Sequence, residues 1–251
     1  MTHEFEVREQ IELDATPEQV WEAIATGPGV DSWLMGRNEI QSGLGGRNKM
    51  DMGVFAIEST VTAWDPPKHF AFKGDPAPDG AFHAFEYLIE GRDGGSAVLR
   101  FVHSGFLGGD WEAEYDALRK GDPVYLHKLA QYVKYFPGRF AAPVGGFAAQ
   151  VPDKEHAWRT IYGGLGLSGS VPVGEKVHLT PSGLAPLDGE VFFLNEDFFG
   201  VRTDDGIYVF IHGYQGAVVL GHHIFGGPGQ PAPDVKEAEQ AWQSWLSGLF
   251  A

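Results

Sequence analysis

The spacing of apolar residues changes period along the first part of the chain. Residues 3–13, HEFEVREQIEL, alternate apolar and polar side chains, which predicts a half-buried strand. The next segment, ATPEQVWEAIA, has helical spacing, and Thr16 suits the N-cap while Pro17 suits the first turn. From residue 47 to 106 the period returns to two, with breaks at DPPK and RDGG. The pattern therefore predicts a strand, short helices and an antiparallel meander of about five strands.

A long helix is predicted to follow the meander. Trp111 and Leu118 lie on one apolar stripe at helical spacing. The segment KGDP predicts an interruption, because Asp122 suits an N-cap and Pro123 suits the first turn of a renewed helix. The apolar stripe then continues to Phe136.

The second half repeats part of this order. Residues 139–152 are rich in glycine, proline and alanine, which predicts a linker between a domain at 1–138 and an α+β half at 153–251. That half shows a helix, four or five strand-like runs and a terminal helix. Both halves carry the spacing Glu-x-x-Trp-x-x-Ile, centred on Trp21 and Trp158. We hypothesise that the second half is a reduced copy of the first; the alternative is a family-specific extension packed on the first sheet.

Charge and composition exclude several classes of function. The 34 acidic and 18 basic residues give a net charge of -16, and the basic residues form no stripe. Such a chain repels phosphate backbones and anionic membranes, so we expect no nucleic-acid partner and interpret the acidity as serving solubility. Cysteine is absent, which excludes disulfides and thiolate chemistry. No signal segment or long apolar run is found, so we expect a cytoplasmic protein without membrane insertion.

Three short motifs favour structural explanations over chemistry. The segment Gly164–Gly169 matches GxGxxG, but a predicted helix precedes it, so we interpret it as a helix end and a turn. His222 and His223 are adjacent on a predicted strand and face opposite sides, so they cannot chelate one ion. Glu196–Asp197 and Asp204–Asp205 suit turns better than a catalytic carboxylate pair. No metal site, cofactor or catalytic residue is predicted.

Two longer segments and the terminal helix of the first half carry a resemblance to a known superfamily. ATPEQVWEAIATGPGVDSWL, VTAWDPPKHFAFKG and the long tryptophan-bearing helix resemble the SRPBCC (START-like, helix-grip) superfamily over residues 5–136. The branch that they resemble contains the activators of heat-shock-protein-90 ATPase. The resemblance implies an α+β helix-grip fold, in which a curved antiparallel sheet wraps around a long C-terminal helix and leaves a cavity between them. It implies no single activity, since the superfamily includes lipid carriers, polyketide cyclases and co-chaperone domains.

Aromatic residues are the candidate lining of that cavity. We expect Trp21 to lie in the core and Trp33 to form a lid, and His83, Tyr87 and His103 to orient a ligand. The alternative is that the rings fill the space between sheet and helix completely. The predicted ligand-binding residues are Trp33, Phe55, Phe72, His83, Phe85, Tyr87, Phe101, His103, Trp111 and Tyr125.

These observations predict binding of a small hydrophobic or aromatic molecule, lipids included, in a largely preformed pocket. One alternative is a co-chaperone-like domain, with a role in the stress response, that binds a chaperone or another protein through its acidic outer face and sheet edge. The other is a cyclase or hydratase in which His103 or His83 acts as the general base. Binding without catalysis is the favoured prediction.

Overall fold

The computed structural model describes residues 2–53, 55–148, 151–227 and 229–251. The chain divides into two compact units, residues 1–139 and 140–251, called here the N-terminal and the C-terminal unit. Each unit combines one antiparallel sheet with helices, so the predicted α+β class is confirmed.

The N-terminal unit is a seven-stranded sheet that grips a long helix. The strands follow the order β1-β7-β6-β5-β4-β3-β2, all antiparallel, and the last helix packs mainly against the first strand and also against β7. Six strands follow the short helices, one more than the predicted number of about five. The elements are β1 (His3–Leu13), α1 (Pro17–Ala25), α2 (Gly27–Val30), β2 (Arg37–Ile40), β3 (Arg47–Asp51), β4 (Ala56–Asp65), β5 (His69–Gly74), β6 (Phe82–Arg92), β7 (Ser96–Leu107) and α3 (Trp111–Tyr135).

Threonine side chains begin both short helices. The Oγ1 atom of Thr16 accepts a hydrogen bond from the Gln19 amide, and the Gln19 side chain accepts one from the Thr16 amide, which confirms the predicted cap. Thr26 ends α1 and begins α2, because its Oγ1 accepts from the Gly29 amide. A Cβ atom at Gly29 would lie 2.0 Å from the Glu22 carbonyl oxygen, so only glycine allows this close turn.

The helix α3 runs without interruption through Pro123, so the predicted break is wrong. A proline inside a helix removes one hydrogen bond and costs about 3 kcal/mol. The residues that follow it, Val124, Leu126 and Leu129, are all buried, and each such side chain contributes roughly 1.5–3 kcal/mol. Tertiary packing therefore outweighs the local preference, and Asp122 lies within the helix instead of capping it.

The two tryptophans of the N-terminal helices differ in burial from the prediction. Trp33 is fully buried and its Nε1 donates a hydrogen bond of 2.9 Å to the Ala23 carbonyl, so it is a core residue and not a lid. The short helix α2 turns the chain back, which places this indole against α1. Trp21 is half-buried and contacts Trp64 edge-on, with the ring centroids 5.0 Å apart.

The C-terminal unit has a similar connection order with one strand and one helix fewer. In both units the first strand pairs with the last strand, and the terminal helix packs against the first strand. The sheet order is β8-β13-β12-β11-β10-β9, and a short 3-10 turn at Tyr214–Gly216 precedes the last strand. The elements are β8 (Ala142–Ala148), α4 (Lys154–Gly164), β9 (Lys176–Leu179), β10 (Leu187–Leu194), β11 (Phe198–Thr203), β12 (Gly206–His212), β13 (Val218–Ile224) and α5 (Val235–Leu249).

Strand β8 lies inside the segment 139–152, so most of the segment that was predicted to be a linker is part of the second sheet. Residues 149 and 150 of that segment are outside the described residues. Its sequence, APVGGFA, has the composition of a loop, but the strand pairs with β13 along its whole length. Pro143 is accepted because β8 is an edge strand. Gly164–Gly169 forms the end of α4 and the turn after it, as predicted.

Candidate functional site

Two rows of rings cross the inner face of the N-terminal sheet, the face toward α3. In one row, Phe72 is paired with Phe85 and Phe85 with His103, and the centroid distances are 5.0 and 4.1 Å. In the second row Tyr87 is paired with Phe101 on the neighbouring strand, 5.1 Å away. Cross-strand pairs of this kind stabilise a sheet and fill the space above it.

A chain of polar side chains connects this sheet to α3. The Nδ1 atom of His103 lies 3.0 Å from Oδ2 of Asp122, and its Nε2 atom lies 2.9 Å from Nδ1 of His83. The Nε2 atom of His83 is 3.6 Å from a carboxylate oxygen of Glu114. The inner pair is deeply buried, with His103 3% and Asp122 12% exposed, whereas His83 and Glu114 are 37% and 42% exposed. The chain thus runs from the core to a half-exposed imidazole.

Burial changes the proton affinity of the groups along this chain. It lowers the pKa of His83 to about 4, with a further contribution from the neighbouring His103, so His83 is neutral at neutral pH. Burial also raises the pKa of Glu114. The pKa values of Tyr87 and Tyr125 rise for the same reason, and the charge of Asp122 raises them further. Both phenols therefore keep their protons.

The structure brings six of the predicted ligand-binding residues into one contacting cluster, whose members are Phe72, His83, Phe85, Tyr87, Phe101 and His103. Tyr125 lies on the same helix as Asp122, one turn further on. Trp111 begins α3 and stacks on His3, with the centroids 4.3 Å apart. Phe55 is 57% exposed and Trp33 is held in the core under α1, so neither joins the cluster.

Three polar residues of α3 were not predicted. Asp122 and Glu114 were missed because the predicted helix was interrupted at Asp122, which was interpreted as a cap. In the continuous helix, Glu114, Leu118 and Asp122 are four residues apart and lie on one face. Lys128 is fully buried, and burial lowers its pKa to about 7. Its Nζ atom lies 5.2 Å from the centre of the Tyr125 ring. A helical stripe that includes polar residues is the signal that could have found all three.

The space between sheet and helix is filled at one end and accessible at the other. Between Gly121 and Val133, α3 places seven residues in the core. Between Trp111 and Lys120 each residue is only half-buried or exposed. Phe72, His83 and Phe85 are also half-buried. We call the surface formed by Phe72, His83, Phe85 and Glu114 the inner groove.

Two surface cavities lie elsewhere, in the C-terminal unit. One, of about 370 Å³, is lined by charged residues such as Lys176, Glu190 and Arg202. The other, of about 840 Å³, includes Trp158 and Tyr162 of α4. The predicted position of the cavity, under α3, is occupied in its deeper part by the contacting rings of Tyr87 and Phe101, both 5% exposed. The deeper part of the predicted pocket is therefore filled by side chains.

The arrangement limits the chemistry available to the histidines. Both ring nitrogens of His103 lie within hydrogen-bond distance of partners, so a general base would have to be His83. The four polar groups form a line and not a shell: in the part of the chain that the structure describes, no three His, Asp or Glu side chains are grouped to hold a metal ion.

Among the described residues, no helix has the length and apolar character needed to cross a bilayer.

Comparisons with known proteins concern the N-terminal unit. Residues 14–134 match the family described as activator of Hsp90 ATPase homolog 1-like protein, slightly less than half of the 251 residues. No curated protein matches the chain significantly.

Several solved structures resemble this unit at low sequence identity. A crystal structure of a Mesorhizobium loti protein is 20% identical and has a TM-score of 0.47, covering 53% of this chain and 98% of its own. The Aha1 dimer from Colwellia psychrerythraea is 21% identical with a TM-score of 0.43, covering 52% and 96%. A Bacillus halodurans protein is 22% identical with a TM-score of 0.46, covering 53% and 100%. Because the family match spans α1 to α3, it confirms the predicted resemblance of the N-terminal unit to the AHSA1-like family of helix-grip, SRPBCC-type domains.

Proposed function

We propose that the N-terminal unit binds a small apolar or aromatic molecule in the inner groove. One observation carries the proposal: the buried chain from Asp122 through His103 ends at the half-exposed ring of His83, between half-buried aromatic rings. The resemblance of the unit to the AHSA1-like family is compatible with binding of a small molecule.

The cost of this polar chain supports a role in binding. Burying a carboxylate and two imidazoles is less favourable for stability than filling the same space with apolar side chains. A core selected only for packing would have no need for them. A ligand that covers the half-buried rings of Phe72 and Phe85 gains affinity from burial alone, at about 25 cal/mol per Å² of apolar surface. The polar end at His83 then fixes its orientation.

The test is a binding screen with matched variants. Fatty acids and aromatic compounds are added to the wild-type protein, and binding is followed by thermal shift and calorimetry. Phe85→Ala removes a ring of the groove, and Phe55→Ala removes an exposed ring outside it. We expect Phe85→Ala to weaken ligands roughly tenfold or more, since a buried aromatic ring contributes more than about 1.4 kcal/mol. Equal effects of the two variants, or a panel without any binder, would contradict the proposal.

A second function, binding of a chaperone, is favoured by exposed apolar side chains at the far end of the same sheet. Leu44, Phe55 and Ile57 are all exposed, and the acidic residues Asp51 and Glu58 lie on the neighbouring strand positions. Both acids are paired with basic side chains, so the rim carries charges of both signs, and an apolar surface with a polar rim suits a protein partner. The test is stimulation of the ATPase of an Hsp90-type chaperone: the double variant Phe55→Ser, Ile57→Thr should lose it, and Phe85→Ala should keep it. Absence of stimulation by the wild-type protein would exclude this function.

A further inference from the structure

The hydrogen-bond polarity of the buried chain determines which ligands suit the inner groove. We propose that the groove selects apolar molecules that carry a hydrogen-bond donor, such as a hydroxyl or amino group, because the outward nitrogen of His83, Nε2, is an acceptor when both histidines are neutral. This inference rests on the proposed function and adds to it the class of ligand.

The argument begins at the buried end of the chain. An ionised carboxylate can only accept hydrogen bonds, so Nδ1 of His103 must donate to Asp122. When His103 is neutral its ring has one donor and one acceptor, so Nε2 of His103 accepts and Nδ1 of His83 donates to it. His83 is neutral, and its remaining nitrogen, Nε2, therefore has no proton. The carboxylate of Asp122, acting through His103, therefore sets the tautomer of the half-exposed His83 ring.

Packing holds this arrangement in place. Phe85 stacks on His103 at 4.1 Å, and Phe5 contacts the same ring edge-on at 5.1 Å. Phe5 also contacts the ring of His83, at 5.5 Å. With His103 only 3% exposed, water does not compete for its nitrogens, and a rotated ring would lose both of its hydrogen bonds.

The charges around His83 also favour a donor. The groups that face the chain from the packed elements are Glu114 and Asp122 on α3 and Glu9 on β1, and Asp79, between β5 and β6, acts on Glu114. All are acidic, so an anionic or purely accepting group is disfavoured here. The distance of 3.6 Å between His83 Nε2 and Glu114 is too long for a hydrogen bond, so this contact leaves the acceptor available to a ligand.

Addition of one proton should reverse the polarity. The proton is best placed on His103, where the Asp122 carboxylate balances the charge at 3.0 Å. Nε2 of His103 then donates to Nδ1 of His83, and Nε2 of His83 becomes a donor. The groove would prefer hydrogen-bond donors when the histidine pair is neutral and acceptors when the pair carries one proton.

The first test reads the tautomers without any ligand. Nitrogen-15 NMR of the imidazoles distinguishes a protonated from an unprotonated ring nitrogen. At about pH 8, above the ordinary histidine pKa of about 6.5, we expect both His83 and His103 to carry the proton on Nδ1, the minor form of free histidine. A proton on Nε2 of His83 at this pH would overturn the inference.

The second test compares two ligands that differ only in the donor, a naphthol and its methyl ether. At about pH 8 the wild-type protein should bind the naphthol about tenfold more tightly, the effect of one hydrogen bond to a partly buried acceptor. His83→Phe should bind both equally. His69→Phe is the matched control, because His69 has a similar exposure, 34%, and its Nε2 lies 2.8 Å from Glu86 instead.

The two tests separate the two proposals. If both ligands bind equally to the wild-type protein, the ligand class is wrong and the binding function stands. If neither binds while the tautomers are as expected, the proposed function fails, and the donor selectivity that rests on it fails as well.

Discussion

Lys128 provides a quantitative test of the packing around α3. Its side chain is fully buried, and burial lowers its pKa from 10.5 to about 7. A lowered lysine pKa means that the unfolded chain holds its proton more tightly than the folded chain does. Between about pH 7 and about pH 10.5 the unfolded chain therefore binds more protons, and the free energy of unfolding rises with pH across this window. Below this window both states are protonated, and the destabilisation is complete.

The magnitude follows from the size of the shift. Each pKa unit corresponds to about 1.4 kcal/mol, so the buried ammonium destabilises the fold by roughly 5 kcal/mol near pH 6. Lys128→Met keeps the length and apolar stem of the side chain and removes the charge. It also removes the contact of Nζ with the Tyr125 ring at 5.2 Å, which contributes about 0.5–2 kcal/mol. We expect the advantage of Lys128→Met over the wild type to be about 4 kcal/mol larger at pH 6 than at pH 10.

The assay is urea unfolding of the full chain over this pH range, followed by tryptophan fluorescence, for the wild-type protein and two variants. Lys68→Met is the control, because Lys68 lies in the same unit and is exposed. The difference between Lys128→Met and the wild type should shrink with rising pH, whereas Lys68→Met should follow the wild type. If the difference in free energy of unfolding between Lys128→Met and the wild-type protein did not change with pH, the folded and unfolded states would hold the Lys128 proton equally. That result would refute the reasoning.

Three further changes test the local structure. Trp33→Phe should destabilise the chain by about 2–4 kcal/mol in urea unfolding, because it leaves a cavity and removes the buried hydrogen bond to the Ala23 carbonyl. Gly29→Ala should cost more than about 2 kcal/mol in the same assay, since its Cβ would lie 2.0 Å from the Glu22 carbonyl oxygen. Pro123→Ala should stabilise the chain by up to about 3 kcal/mol, because it removes a helix-breaking residue, and amide exchange near the middle of α3 should slow.

Each of these changes has an internal comparison. Trp21 is only half-buried, so Trp21→Phe should cost less than Trp33→Phe; the reverse order would contradict the assignment of Trp33 to the core. A Cβ atom at Gly145 would meet no other atom within 4 Å, so Gly145→Ala should be nearly neutral. A destabilising Pro123→Ala would mean that the proline ring itself contributes to the packing of α3.

Local patterns in the sequence determined much of the N-terminal unit. Alternation predicted strands at the ends and in the middle of the meander, and Thr16 with Pro17 marked the start of α1. The rings of His83, Phe85 and Tyr87 were predicted to share one face, because residues two apart on a strand point to the same side. Strand β2, RNEI, was not predicted because four mostly polar residues carry no periodic signal.

Only the tertiary structure decided which partner each of these side chains meets. Asp122 and Pro123 have a strong local preference for a helix start, but the burial of Val124 and Leu129 is worth more than the break, and the continuous helix directs Asp122 to His103. In β8, loop-like composition gives way to pairing with β13. Local preferences act over a few residues and amount to a few kcal/mol, whereas burial and hydrogen bonds between distant residues sum to more. The polar chain that forms the candidate site joins residues 83, 103 and 122 from two strands and a helix, and only the tertiary structure shows that they contact one another.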